Sequence, residues 1–518
     1  MLCLIFLQFK AVNTVGSFMV QKNRINSVEA LYRNIRPILS CSFNIIVLKA
    51  TISFAYAQTE CISNSLISAL PNSRNKQSIY LCLDHKQDCT MWNADKIRNI
   101  DIYRDISYQI GHFNLNFPKG RPTLVSSDRR FSISLGASIQ FDIGGIIGPD
   151  NKRNGSRMDG SQAFLRRGRF NVAIRYDDFI INITPDAGRP ALVNNSIYEA
   201  YLKYVGFENT IIAIGLLQPP ITMLDTESSN GFILVERPMI VDLVRNLTGS
   251  DARLALMMTH WNKRYYLSAS VTGQRLGGTY QDFQRNELGG IVRAAVRPLA
   301  INHYDMHLGL STTFVTHGDS RKYSLSTGQE GQVWLGRPYL RTGTVQGVNN
   351  IWAIGPEFAV RLNRFLIQSE YYSMFLQRVA EKSGNRPNLH FSGWYISVNY
   401  VLFGQPRSYD ESKAVFTPPV GSFFNPVAGE WGALEWSIRW SNMNLNHYKY
   451  RMNENGHYLG VQGGKQNIFA TGLNWYPSSH MRISLDYNHV MATRSRNNYY
   501  NSTGRISNLI MSRVQFTF

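Results

Sequence analysis

The chain has little cysteine, a deficit of acidic residues and no long apolar runs over most of its length. Of five cysteines in 518 residues, Cys3 and Cys41 fall before residue 58, Cys61, Cys82 and Cys89 follow soon after, and the last 429 positions hold none. A disulfide-built scaffold is therefore excluded for most of the chain. Cys82 and Cys89 in "CLDHKQDC" are the pair an oxidising compartment would join. Asp84 and His85 between them leave a metal site as the alternative, and Cys61 has no evident partner. After the first sixty residues no uncharged apolar run reaches 18, which excludes a bundle of transmembrane helices. Catalytic signatures are also missing: the eleven histidines stand in no motif, and "GGKQN" lacks the GK[ST] and following helix of a phosphate-binding loop. Neither an enzyme activity nor a cofactor is expected.

What is present is alternation and positive charge. Mean hydropathy is only -0.22, yet aromatics reach 12%. A transmembrane β-barrel has such a profile, because its apolar band is hidden in every second residue of each strand. Residues 37–57, "PILSCSFNIIVLKATISFAYA", follow Arg33 and Arg36 and end on a small-x-small pattern before Gln58, as an export signal does. Lys49 interrupts the run, Met19 is a second possible start, and an uncleaved anchor is the alternative. Removal of residues 1–57 leaves 48 basic and 34 acidic residues, a charge of +14. In an exported protein such a charge points to small anions or lipopolysaccharide and away from nucleic acid.

From Phe131 onward, segments of about ten residues alternate: "FSISLGASIQF", "LRRGRFNVAIRY", "WYISVNYVL", "WSIRWS" and "SRVQFTF" each put apolar residues on one face and polar residues on the other. Sixteen strands are expected, at 131–142, 165–176, 178–185, 197–205, 210–217, 252–260, 264–272, 289–297, 306–315, 351–361, 365–376, 391–402, 432–441, 467–476, 481–490 and 507–518. Connectors alternate in length. Asp177-Asp178, 206–209, 261–264, 362–364 and 477–480 are short, as periplasmic turns are, whereas 143–164, 218–251, 273–288, 316–350 and 442–466 are long, as extracellular loops are. Residues 403–431 break the rule by being long at periplasmic parity.

The alternation also sorts the charges. Arg167, Arg169 and Arg175 share the polar face of one strand, Lys203 opposes Leu202 and Tyr204, and Arg293 and Arg297 oppose Val292, Ala294 and Val296. Arg361, Arg439 and Arg513 likewise oppose apolar neighbours. All nine are expected to face the lumen, either as an anion pathway or as wall residues paired with Glu199, Glu357, Glu435 and Asp486. Arg166 falls on the lipid side of this alternation, so it is expected at the strand's end, in the headgroup region or bent into the mouth.

In this order, "RPTLVSSDRRFSISLGASIQFD", "FLRRGRFNVAIRYDDFIINITPDAG", "IYEAYLKY", "IGLLQPP", "FILVERP", "GPEFAVRL", "FSGWYISVNYVLFGQPRSY", "ALEWSIRWS", "GLNWYPSSHMRISLDYNHV" and "SRVQFTF" resemble the phosphate-selective porin O and P family of Gram-negative outer membranes. The resemblance runs from Pro122 to Phe518. It implies an all-β, sixteen-stranded antiparallel barrel that assembles as a homotrimer and has inward-folded loops and an arginine- and lysine-lined pore. The connector 218–251 resembles the family's constriction loop, with Arg237 and Arg245 in the narrow zone and Glu236 orienting Arg237. The long turn 403–431 is similar to one that folds into the barrel, and Phe518 resembles the terminal aromatic of outer-membrane barrels. The expected organisation is a signal peptide at 1–57, a periplasmic extension at 58–125 and a barrel at 126–518. The expected function is passive uptake of inorganic phosphate, polyphosphate or other small anions across the outer membrane. The alternatives are a polyanion-binding interaction protein with a nearly closed barrel and a general porin of weak charge preference.

Overall fold

The structure, a computed structural model, describes residues 78–81, 90–93, 107–147, 162–188, 197–248, 253–275, 287–301, 304–325, 330, 339–379, 386–448, 452, 459–495 and 502–518. The expected signal peptide at 1–57 and the three cysteines beyond it lie outside these residues. The chain divides into two units, 1–98 and 99–518. In the first, the described residues form an antiparallel pair, Ser78–Leu81 with Thr90–Asn93.

The second unit is a closed antiparallel barrel of sixteen strands. These are β1 (Phe131–Ile147), β2 (Gln162–Tyr176), β3 (Phe179–Pro185), β4 (Ile197–Tyr204), β5 (Thr210–Leu217), β6 (Arg253–Trp261), β7 (Tyr265–Arg275) and β8 (Glu287–Ile301). They continue as β9 (Tyr304–Tyr323), β10 (Val345–Leu362), β11 (Phe365–Arg378), β12 (Leu389–Phe403), β13 (Ala433–His447), β14 (Val461–Ser478), β15 (Met481–Ser495) and β16 (Ser502–Thr517). Closure comes from β16 pairing with β1, with Gln515 opposite Gln140. It leaves no unpaired edge in hydrocarbon, where an unsatisfied backbone group is costly. Among the described residues no helix is long and apolar enough to cross a membrane.

Burial follows the alternation. In β13, Glu435, Ser437 and Arg439 are buried in the interior while Trp436 and Trp440 are exposed on the outside. Several strands run past the expected limits at the long-connector end, β9 to Tyr323 and β10 from Val345, because backbone pairing continues there, with Tyr323 opposite Val345. Before β1, a meander of Ser107–Ile110, Phe113–Asn116 and Thr123–Ser126 pairs with the lower end of β1, Thr123 lying opposite Ser134. Just above it, Ala137 exchanges backbone hydrogen bonds of 3.0 and 3.1 Å with Phe518.

The expectation for Arg166 is corrected. Gln140 pairs with Arg167 but Phe141 pairs with Leu165, so Arg166 is the extra residue of a bulge. A bulge places two residues opposite one and re-aims a side chain. Arg166 therefore joins Arg167 in the interior, where both are buried. A second register break makes Tyr198 the extra residue between Glu199 and Ile197 of β4.

The long turn 404–432 re-enters the barrel wall at Gly432, whose φ is +76° and where a Cβ would lie 2.1 Å from the Tyr476 carbonyl oxygen. Gly432→Val is expected to cost at least about 1–2 kcal/mol from backbone conformation alone, with the overlap added. Fewer molecules should reach the compact, fast-migrating band of unheated gels after refolding into vesicles; wild-type yield would contradict this geometry.

Candidate functional site

Between β5 and β6 the chain turns into the barrel. Its short helix α1 (Met223–Thr226) is capped by Thr222, whose Oγ1 accepts the Asp225 N–H at 2.8 Å, and α2 (Met239–Thr248) follows. The apolar run "FILV" at 232–235 and the α2 residues Ile240, Val241 and Val244 are fully buried. They pack on interior side chains of β8 to β16, among them Ile291, Tyr372, Phe391, Ile468 and Leu509, to form one hydrophobic core. Among the described residues, Ile146 of β1 and Phe164 of β2 touch it from the other side. The interior of half the barrel is thus packed rather than open.

Charged groups pin this segment to the wall. Arg513 holds Asp142 with bonds of 2.6 and 2.7 Å, donates to the Val235 carbonyl at 2.7 Å and reaches Glu236 at 3.0 Å. Arg166 reaches Glu236 at 2.8 Å. Burial pushes the Glu236 carboxyl up, but Arg166 and Arg513 more than reverse it and hold it well below the usual carboxylate range. Glu236 therefore does not orient Arg237. Arg237 turns to Asp225 at 3.1 Å and lies over the Phe232 ring, and Arg245 reaches the same Asp225 at 2.7 Å. Arg439 pairs with Glu330 at 2.9 Å, and Glu330 in turn accepts the Met239 N–H at 2.7 Å. Two further wall carboxylates accept backbone N–H groups of the segment: Glu370 from Met223 and Leu224, and Asp486 from Val235.

From the opposite end the turn 404–432 enters. Its tip pairs Tyr409–Asp410 with Val415–Phe416 and buries Val415 and Phe416 against Met223, Ala359 and Leu366. Arg293, fully buried, grips Glu357 and donates to the carbonyls of Lys413 and Ala414 at 2.7 and 2.9 Å. Arg297 and Arg361 converge on Asp305, and Arg297 also reaches Glu411 of the turn at 3.0 Å. Arg407 joins all three parts: Glu435 of the wall at 2.8 Å, Glu227 of the inward segment at 2.9 Å and the Gly231 carbonyl at 2.9 Å. Five residues of the expected set, Arg293, Arg297, Arg361, Arg439 and Arg513, are thus engaged with carboxylates.

The β2 to β4 side differs. Arg167 donates to the Gln140 side chain at 2.5 Å, its Nε is buried without a partner, and no carboxylate pairs with it among the described residues. Arg169 pairs with Asp186 at 2.8 Å and stacks on the Tyr198 ring at 3.3 Å. Lys203 makes no hydrogen bond or ion pair among the described residues, and its charged neighbours are Glu199 and Lys413. Arg175 is exposed at the short turn, bonded to the Asp177 carbonyl at 2.7 Å. The nine cations therefore do not form one ladder; they fall into a pinned group and a β2 to β4 group.

Sequence reasoning missed Arg407, Asp142, Asp305 and Glu330, whose partners lie up to 371 positions away in the chain. The one available signal was the arginine within the anomalous long turn. Arg407→Ala leaves Glu227 and Glu435 buried without the guanidinium that bonds them both, an expected loss of about 3–5 kcal/mol. The midpoint of urea unfolding in vesicles, followed by tryptophan fluorescence, should fall, and adding Glu227→Gln should recover part of it. An unchanged midpoint would remove Arg407 from this role.

The sequence model of the family described as "Phosphate-selective porin O and P" matches residues 133–518. An uncharacterized protein of Caulobacter vibrioides is 25% identical over 209 residues, 39% of this chain and 37% of that relative, so the match spans little more than a third of its length. Among solved structures, OmpT, an outer membrane protein of Vibrio cholerae, is 9% identical with a TM-score of 0.44, covering 75% of this chain and 98% of that one. An anion-selective porin from Comamonas acidovorans is 9% identical with a TM-score of 0.43, covering 75% and 100%. With the family matched over nearly the whole barrel, the chain belongs to the phosphate-selective porin O and P family and is a porin of the Gram-negative outer membrane.

Proposed function

We propose that this porin passes small anions, with phosphate-type oxyanions preferred, along the lumen face of β2 to β5. The observation that carries the reading is Arg167. A buried guanidinium without a counter-charge is costly, and here Arg166, Arg169 and Arg513 surround it while the nearby Glu236 is already shared by two arginines. An oxyanion supplies the missing charge, and the planar guanidinium suits two of its oxygens. Arg166, Arg167, Arg169, Arg175 and Lys203 on β2 and β4 outnumber the carboxylates near them among the described residues, namely Asp177, Asp186, Glu199 and the Glu236 that Arg166 shares with Arg513. Lys413 of the inserted turn adds a further positive charge near Lys203. Fixed charge of one sign beside low-dielectric walls raises the local anion concentration. The hydrophobic core over β8 to β16 supports confinement of the path to this side.

A homotrimer fits the wall height. β3, β4 and β5 are seven or eight residues long, below the roughly 9–11 a membrane strand needs. Their outward residues include Ile181, Ile183, Leu202 and Ile214, all exposed in the single chain. Further copies of the barrel would cover this low, apolar wall.

In planar bilayers the protein should carry anion-selective current that millimolar phosphate reduces. Arg167→Gln should weaken phosphate block by about 10- to 100-fold, equivalent to losing a charged hydrogen bond of roughly 1.5–3 kcal/mol. Cation-selective current, or phosphate block unchanged in Arg167→Gln, would overturn the reading, and the absence of any current would favour the nearly closed, polyanion-binding alternative. For assembly, Ile183→Arg with Leu202→Arg should shift the unheated species on native gels from trimer to monomer. A trimer that persists would move the interface elsewhere.

A further inference from the structure

The outer surface diametrically opposite β4 carries a second polar feature, one that conduction does not use. Trp352 of β10, Phe375 of β11 and His390 of β12 are direct cross-strand neighbours. Their rings form a continuous array: Trp352 stacks on Phe375 at 4.0 Å and 16°, and Phe375 meets His390 at 4.7 Å. The array then turns over the rim of the barrel, with His390 to His447 at 6.2 Å and His447 to Tyr448 at 4.0 Å. Below it the outward aromatics Trp394 and Trp440, 5.6 Å apart, mark the level where the apolar band ends. Above that pair the outward side chains become Asn442, Asn444 and Asn467, with Lys465 exposed on the next strand and paired in register with Asn444. No aspartate or glutamate among the described residues of β10 to β15 projects outward.

From this juxtaposition we infer that the upper outer face of β10 to β14 is a binding surface for the phosphorylated disaccharide head group of the outer-leaflet glycolipid. Three properties of the strip match that chemistry. Flat rings beside amides suit the apolar faces and hydroxyls of a hexosamine. Lys465 supplies positive charge, Lys465 and the imidazole N–H groups supply donors for phosphate, and the absence of outward carboxylates leaves the strip without repulsion towards it. Its height, between the Trp394–Trp440 pair and the long connectors, is where a head group meets a barrel wall. In a ring of sixteen strands β12 lies eight positions from β4, so the assembly proposed for the low wall leaves this face to lipid.

The test uses the full-length porin purified in detergent, titrated with bisphosphorylated lipid A, monophosphorylated lipid A and phosphatidylglycerol, with bound lipid counted by native mass spectrometry. Bisphosphorylated lipid A should bind most tightly, and His390→Ala with Lys465→Ala should weaken it at least tenfold, whereas Lys263→Ala at a short turn leaves it unchanged. Should the double variant fold poorly, Lys465→Gln alone should lower affinity at least threefold. Wild-type affinity in these variants, or equal binding of phosphatidylglycerol, would overturn the inference. The conduction reading is tested separately, because the same variants should keep the wild-type reversal potential; a shifted potential would place these residues in the ion path and also overturn the inference.

Discussion

A guanidinium inside this barrel has to be neutralised, and most of the interior follows from that requirement. Most of the arginines that the strands send inward meet a carboxylate, many of those contacts also catch a backbone group of an inserted segment, and Arg482 donates directly to the Asn230 carbonyl of the inward connector. Arg513 joins Asp142 of the wall to Val235 and Glu236 of the inward connector. Arg407 joins wall, connector and turn at once. Buried pairs of this kind add little net stability relative to apolar packing, but removing one partner is costly. They therefore fix where the two inserted segments sit, while the apolar run at 232–235 and α2 provide the favourable burial that keeps them there.

Division of labour follows. On β8 to β16 the interior charges are consumed in holding the insert, and the space between them is filled with hydrophobic side chains. On β2 to β4 the positive charge exceeds the available carboxylates, and no carboxylate pairs with Arg167 among the described residues, the nearby Glu236 being taken by Arg166 and Arg513. The same residue type thus serves as scaffold on one side and as a candidate anion contact on the other; the difference lies in the count of nearby acids rather than in the arginine itself.

Much of the architecture was legible before any coordinate. Period-2 alternation is a direct consequence of a wall with lipid on one side, so sixteen strands and the parity of their connectors could be read from "WSIRWS" or "SRVQFTF" and the spacing between such segments. The anomalous length of the 403–431 connector was legible too. Two things were not. The bulge at Arg166 leaves no mark in "LRRGRF", because a register break depends on the partner strand, and strict alternation sent that arginine to lipid. The pairing of each arginine was also hidden, since Asp142 and Arg513 or Glu227 and Arg407 are distant in sequence and meet only when the barrel closes and both inserts have docked.

The central claim, that uncompensated charge on β2 to β4 defines the anion path, is tested most directly by locating bound anions. Crystals soaked in bromide or arsenate should show anomalous density at Arg167 and near Lys203, with none at the carboxylate-paired Arg293, Arg439 and Arg513. Density at those three, with none at Arg167, would contradict the account.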